Sequence, residues 1–416
     1  MIADALAALC PSADDTALLS ACLKSGEQAR SAWEVWRSRR RSSADQLRTE
    51  LAARRNLVPL LERSAARNGL RSEGELVDYI RAAVLREELR AERFHRIAAS
   101  VLTAVQDAGV TPHVSRGVAL AATVYDAAAH RHCHDLDILI AAEQLARAAA
   151  ALKSAGLRQI DVREASRLRG AANTAADAVL RHESGLHVML HTRPFGPPFY
   201  DVPLARFVER GERARIHEAT VDIPSPAALL VHVLGHATYS STGRNLRWIT
   251  DASHLLHRRP DIDWDEFATR LDASRLTLPV SVLLRYLVEF GMAVPPDVLK
   301  NATRRAGMAS AVARDVALGG ALAACGGDLP LLWRSARSLS GRARLVKWMV
   351  APTPAYVRAT FPQRPAPPLM LCYLYRPMRF MSGRLERRRA ASQPAAIAFA
   401  GSRGGRVLEQ RGAADA

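Results

Sequence analysis

The chain has 416 residues, 49% of them hydrophobic, enough to bury a sizeable core in two or three domains and too many for a disordered polymer. Lys and Arg number 58 against 41 Asp and Glu, a formal +17 that points to a polyanionic partner; from Leu331 onward 16 bases face only Glu386, Glu409 and Asp415, so 16 − 3 = +13 of the excess is C-terminal, and a solvated basic tail is the simpler reading. Five scattered cysteines exclude a disulfide framework or zinc knuckle and fit a reducing, cytoplasmic setting; the start lacks the basic flank of a signal peptide, and no window approaches the ~18 apolar residues of a membrane span, so a soluble protein is expected.

Residues 1–108 read as a helical N-terminal region. "SAWEVWRSRR" and "RNLVPLLERSAARNG" carry helical periodicity, the second closed by Gly69 as a C-cap. Between Glu73 and Gly109 apolar residues recur at three and four, which predicts one long amphipathic helix.

Residues 109–223 change pattern. A short strand leads to a Ser-Arg-Gly turn at Ser115 to Gly117 and a helix running to Tyr125, followed by "HRHCHDLDILIA", an apolar strand with aspartates at 135 and 137. "AEQLARAAAALKSAGL" is a helix ending near Gly156, and "ADAVLR" and "GLHVMLHT" are strands joined by the hairpin-like "HESG". The mixture has the size of one small α+β domain. Residues 224–385 are helical almost throughout, and 386–416 have the Arg, Ser, Gly and Ala bias of a disordered basic tail. The expected fold class is therefore α+β, a small mixed-sheet core embedded in mostly helical N- and C-terminal regions.

Side chains alternate along a strand, so Asp135 and Asp137 share a face. Like charges that close repel unless a cation sits between them, and Mg²⁺ is the hard ion that a few carboxylates and substrate phosphates hold. By itself the pair is equally well read as surface aspartates neutralised by Arg131 and water. The turn 18 residues upstream shifts the balance: a glycine between strand and helix leaves backbone N–H groups free for an anion, and Arg116 adds a fork suited to phosphate oxygens.

Phosphate turn, spacer helix and D-x-D strand resemble the polymerase-β-like nucleotidyltransferases. More closely, "SRGVALAATVYDAAAHRHCHDLDILI" resembles a bacterial family of uncharacterised nucleotidyltransferases through Arg116, Gly117, Leu120, Ala121, Tyr125, Arg131, Asp135 and Asp137. "LHVMLHTRP", "LGHATYSSTGRNLRWITDASHLL" and the Tyr- and Pro-rich stretch near 350 to 380 are similar to its later elements, so that most of residues 30 to 380 is covered. The resemblance implies metal-dependent transfer of a nucleotidyl group from an NTP to an acceptor hydroxyl on a small molecule, peptide or protein. Asp135 and Asp137 would hold Mg²⁺ or Mn²⁺, and Ser115, Arg116, Gly117 and Arg131 would bind nucleotide.

The superfamily carries a third carboxylate on a later strand, and Met189, two residues before His191, stands there. That carboxylate helps to bind the nucleophile-side metal, so its absence opens a second reading, a catalytically impaired protein that keeps the fold to bind nucleotide or a macromolecular partner. Met189→Glu is expected to be tolerated if the residue lines a solvated cleft. His191 and Asp251 are auxiliary candidates; His187 shares the face, although such histidines are commonly structural. His232 and His236 read as helix-packing residues, since Val233 stands where a zincin needs glutamate. Arg247 and Asp251 have the spacing of an exposed helix ion pair, and Trp248 reads as core. Nucleic acid remains a possible partner, with no recognition helix or stacking platform to support it.

Overall fold

The structure, a computed structural model, describes residues 3–39, 44–70, 74–160, 176–196, 202–239, 246–360 and 367–376. The expected tail 386–416 and the last expected C-terminal helical residues, 377–385, lie outside them. Residues 1–362 form one compact unit, and 363–416 a second.

The N-terminal third is helical, as its periodicity predicts. Helices α1 (Ala3–Leu6), α2 (Ala13–Leu23), α3 (Gly26–Ser38), α4 (Ala44–Ala53) and α5 (Val58–Asn68) lead into α6, Glu75–Asp107. Pro59 sits in the first turn of α5, and Gly69 closes it with a left-handed φ of 64°, its N–H donating to the Ala65 carbonyl at 2.9 Å. In α6 a stripe including Leu76, Ile80, Phe94, Ala98, Leu102 and Val105 is buried, the three- and four-residue spacing of one helix face.

A mixed sheet of seven strands follows: β1 His113–Val114, β2 Asp135–Leu139, β3 Arg158–Ile160, β4 Ala178–Arg181, β5 His187–His191, β6 Glu212–Ile216 and β7 Ala219–Ile223, in the order β3-β4-β5-β2-β1-β7-β6. Strand β2 is central, parallel to β5 and antiparallel to β1. A central strand flanked on both edges has little access to water, so four of its five residues are buried. The β4–β5 hairpin pairs antiparallel, as "HESG" implies. Three strands were not anticipated. β3 is too short to show alternation, while β6 and β7 form a hairpin whose turn residue His217 takes a φ of 53° where a glycine would have announced the turn.

Helices α7 (Arg116–Thr123), α8 (Leu145–Ser154) and α9 (Leu204–Val208) connect the strands. From Pro226 the chain is helical: α10 Pro226–Ala237, α11 Arg247–Arg258, α12 Trp264–Ala273, α13 Thr277–Glu289, α14 Pro296–Gly307, α15 Ala311–Ala324, α16 Leu329–Ser335, α17 Leu339–Val350 and α18 Pro354–Thr360. Ser225 caps α10 by accepting from the Ala228 N–H, and Asp263 caps α12 by accepting from Asp265 and Glu266. None of the described helices is long and apolar enough to cross a membrane. The fold is α+β with a mixed sheet set among helices.

Candidate functional site

Asp137 lies at the middle of the central strand and is 4% exposed. A bare buried carboxylate would be costly, and two donors relieve it: Arg116 Nη1 at 3.2 Å and His191 Nε2 at 2.8 Å, both on Oδ1. Burial alone would raise the Asp137 carboxyl. Arg116 and the hydrogen bond from His191 outweigh it and hold the group ionised, well below the usual carboxylate range.

The topology produces these contacts. β1 leads straight into α7, and the Ser115 N–H donates to the Asp137 carbonyl at 3.3 Å, so the turn is fastened to β2. Arg116, first residue of α7, has a φ of 58°, a left-handed backbone that non-glycine residues seldom adopt. Strain of this kind, of order 1–3 kcal/mol, persists where surroundings over-determine it, and here Arg116 is held at two of its guanidinium nitrogens. Its Nη1 donates to Asp137, and its Nε donates to His232 Nε2 at 3.2 Å. His232 must therefore present an unprotonated Nε2. Burial, then the adjacent guanidinium, push its pKa well below the ordinary histidine value, and His236 is lowered by the same causes in the same order.

Sequence reasoning treated His232 and His236 as packing residues. His232 does pack, edge-on to the rings of Phe195 and Phe207, but it also receives Arg116, and both histidines face the charge of Asp137 and Arg116. Their four-residue spacing on α10 was the available signal.

Asp135 shares the strand parity of Asp137 and is more accessible, its side chain 17% exposed. His134 Nε2 stands 3.6 Å from Asp135 Oδ2, and Arg247 Nη1 lies 3.2 Å from His134 Nδ1. Arg247 is thus turned toward the β2 end, its pKa pushed down to about 10 by burial and by Arg131. The expected Arg247–Asp251 pair does not form as an exposed helix contact, because Asp251 is buried and bonded elsewhere. Arg131 donates to it from Nε at 2.6 Å and Nη2 at 2.9 Å, and the Tyr125 hydroxyl donates at 2.7 Å. Neither Arg131, expected to bind nucleotide, nor Asp251, expected as an auxiliary acid, has a hydrogen bond with Asp137; they pair with each other.

That pair accounts for Gly117. A Cβ there would sit 3.1 Å from Cys133 Sγ and 3.3 Å from Arg131 Nη1, so the glycine lets the buried guanidinium approach the start of α7. Ser115 is 1% exposed, and its hydroxyl has no hydrogen-bond partner among the described residues.

Met189 stands opposite Asp137 in the β2–β5 register, as Asp135 stands opposite His187 and Leu139 opposite His191. Met189 thus lies beside Asp137 on the neighbouring strand. It does not line the expected solvated cleft: Met189 is 2% exposed, in an apolar cluster with Ile160, Ala176 and Val179. A thioether in such a cluster offers nothing to Mg²⁺, and no group of three or more metal-ligating His, Cys, Asp or Glu occurs among the described residues. Asp135 and Asp137 remain as hard oxygen donors. They suit an ion that takes one or two protein carboxylates and completes its shell with water and phosphate.

A mixed sheet that fastens a strained, arginine-bearing helix turn against Asp137 of its central strand defines a protein built around a buried anion–cation contact. The model of the family described as uncharacterised nucleotidyltransferases matches residues 42–291, 250 of the 416, and the chain belongs to that family. Membership assigns it a general role in nucleotidyl transfer, with a nucleotide as substrate. Comparison with curated proteins and with solved structures gave no match.

Proposed function

We propose that this chain is a metal-dependent nucleotidyltransferase of the polymerase-β-like type, using Asp135 and Asp137 to hold Mg²⁺ or Mn²⁺ and the Ser115–Gly117 turn to receive the triphosphate of an NTP. The observation that carries the reading is the contact of Arg116 with Asp137, which joins the anion-binding turn to the metal-binding strand. The bound cation would neutralise the phosphates and the charge developing on the leaving group. An acceptor hydroxyl oxygen forms a bond to the α-phosphorus as the bond to the pyrophosphate bridging oxygen breaks; the electron pair leaves with pyrophosphate and the acceptor's proton passes to solvent.

Each residue then has a defined task. Asp137 is kept ionised before any metal arrives, by Arg116 and His191. Arg116 donates to Asp137 Oδ1, so if that carboxylate were to hold the cation the guanidinium would be left to fork onto phosphate oxygens. Neutral His232 holds the Nε end of Arg116 and limits where the fork can turn. Arg131 and Asp251 act at a remove, by packing against Gly117. The five cysteines, none of them in a disulfide, support a reducing, cytoplasmic setting.

A second reading has its own support. Met189, the residue that the resemblance sets at the third carboxylate, is paired with Asp137 and packed in apolar surroundings, which favours a protein that binds nucleotide without turning it over. Incubation with each α-labelled NTP, Mg²⁺ or Mn²⁺ and native lysate separates the two. Metal-dependent label transfer with pyrophosphate release, lost in Asp135→Asn, supports the transferase; nucleotide binding without transfer supports the binding protein.

A further inference from the structure

Helix α17, Leu339–Val350, buries Gly341, Leu345 and Trp348 against the protein. Its other side is also apolar. Leu339 is 84% exposed, Val346 41% and Val350 72%, and offsets of 346 − 339 = 7 and 350 − 339 = 11 residues place all three on one face. Ala343 is exposed on the same face. Bases border the stripe: Arg344 and Lys347 are exposed, and Arg342 stacks on half-exposed Trp333 of α16, 5.6 Å from its ring. The surrounding chain sharpens this chemistry. From Leu329 to Thr360 there is no acidic residue, while six Arg and Lys occur.

We propose that the exposed face of α17 is a docking surface for an anionic lipid bilayer, on which the helix lies in the plane of the interface. A stripe of aliphatic side chains bordered by cations and an interfacial tryptophan matches that surface at both depths: hydrocarbon takes Leu339, Val346 and Val350, and anionic headgroups take the bases. A nucleic acid would take the cations but offers no partner to the aliphatic stripe. A second acidic protein would need apolar groups as well as charge, and the lack of acids along residues 329–360, with Asp4 of α1 already engaged by the Ser338 hydroxyl, favours the more uniform negative surface.

The test is flotation of the full-length chain with vesicles of phosphatidylcholine alone and of phosphatidylcholine with about one-third phosphatidylglycerol. The anionic vesicles should bind about tenfold more protein, and raised salt should weaken that binding. Leu339→Asp with Val350→Asp should lower anionic-vesicle binding about tenfold with an unchanged melting temperature, because both residues are exposed. Equal binding to the two vesicle types would overturn the proposal. So would full binding by the double variant, which would place the attraction elsewhere in the basic chain, or preferential binding of duplex DNA that the double variant retains.

Discussion

Two neutral histidines beside a guanidinium leave a thermodynamic trace. His232 and His236 have folded pKa values below the ordinary ~6.5, so below that pH the unfolded chain binds protons that the folded chain does not, and stability falls as pH falls. Each contributes a slope of up to about 1.4 kcal/mol per pH unit. Glutamine can still accept from Arg116 Nε, so His232→Gln should fold and lose about that slope between pH 6.5 and 5 in urea titrations. A slope identical to wild type would mean that His232 is not held neutral. Asp137 acts at lower pH: its depressed folded pKa gives stability present above about pH 4 and lost as acid protonates it. Met189 tests the apolar cluster. Met189→Glu puts an unpaired charge among Ile160, Ala176 and Val179, and should cost at least the ~2–5 kcal/mol of losing a core methionine without improving Mn²⁺ affinity; Met189→Leu should cost under about 1.5 kcal/mol. A Met189→Glu protein that keeps its melting temperature and binds Mn²⁺ more tightly would restore the solvated cleft.

At the scale of elements, the buried Arg131–Asp251 pair ties the residues between α7 and β2 to α11. The Tyr125 hydroxyl completes it, and the Tyr125 ring stacks on His254 at 4.0 Å. Removing one partner leaves a buried charge and should cost about 3–5 kcal/mol, whereas Arg131→Met with Asp251→Leu together should cost much less than the sum of the singles. Denaturant titration of the four proteins gives the coupling directly, and simple additivity would show that the pair does not act as a unit. These elements also show what sequence could convey. The long run of three-and-four spacing gave α6, the apolar run around Asp135 gave β2, and the Ser-Arg-Gly turn gave the start of α7. Arg131 and Asp251 escaped because they lie 120 residues apart and each also had a local role to suggest, a neutralising arginine near the aspartates and an i,i+4 helix partner. His232 escaped for the opposite reason, since an imidazole on an apolar helix looks the same whether it packs on Phe195 or receives Arg116.

Across residues 1–362, the sheet and its helices bring the α7 turn onto the central strand, within the span that the family model matches. If that contact is where nucleotide and metal enter, the two must bind together. The most direct measurement is thermal shift with ATP, CTP, GTP and UTP, with and without Mg²⁺, on wild type and Asp135→Asn, a substitution on the more accessible aspartate that leaves the buried Asp137 contacts in place. We expect at least one NTP to stabilise wild type only with Mg²⁺, by about 2.7 kcal/mol at a hundred times its dissociation constant, and to stabilise Asp135→Asn far less. Metal-independent stabilisation, equal in the two proteins, would contradict the assignment of this site.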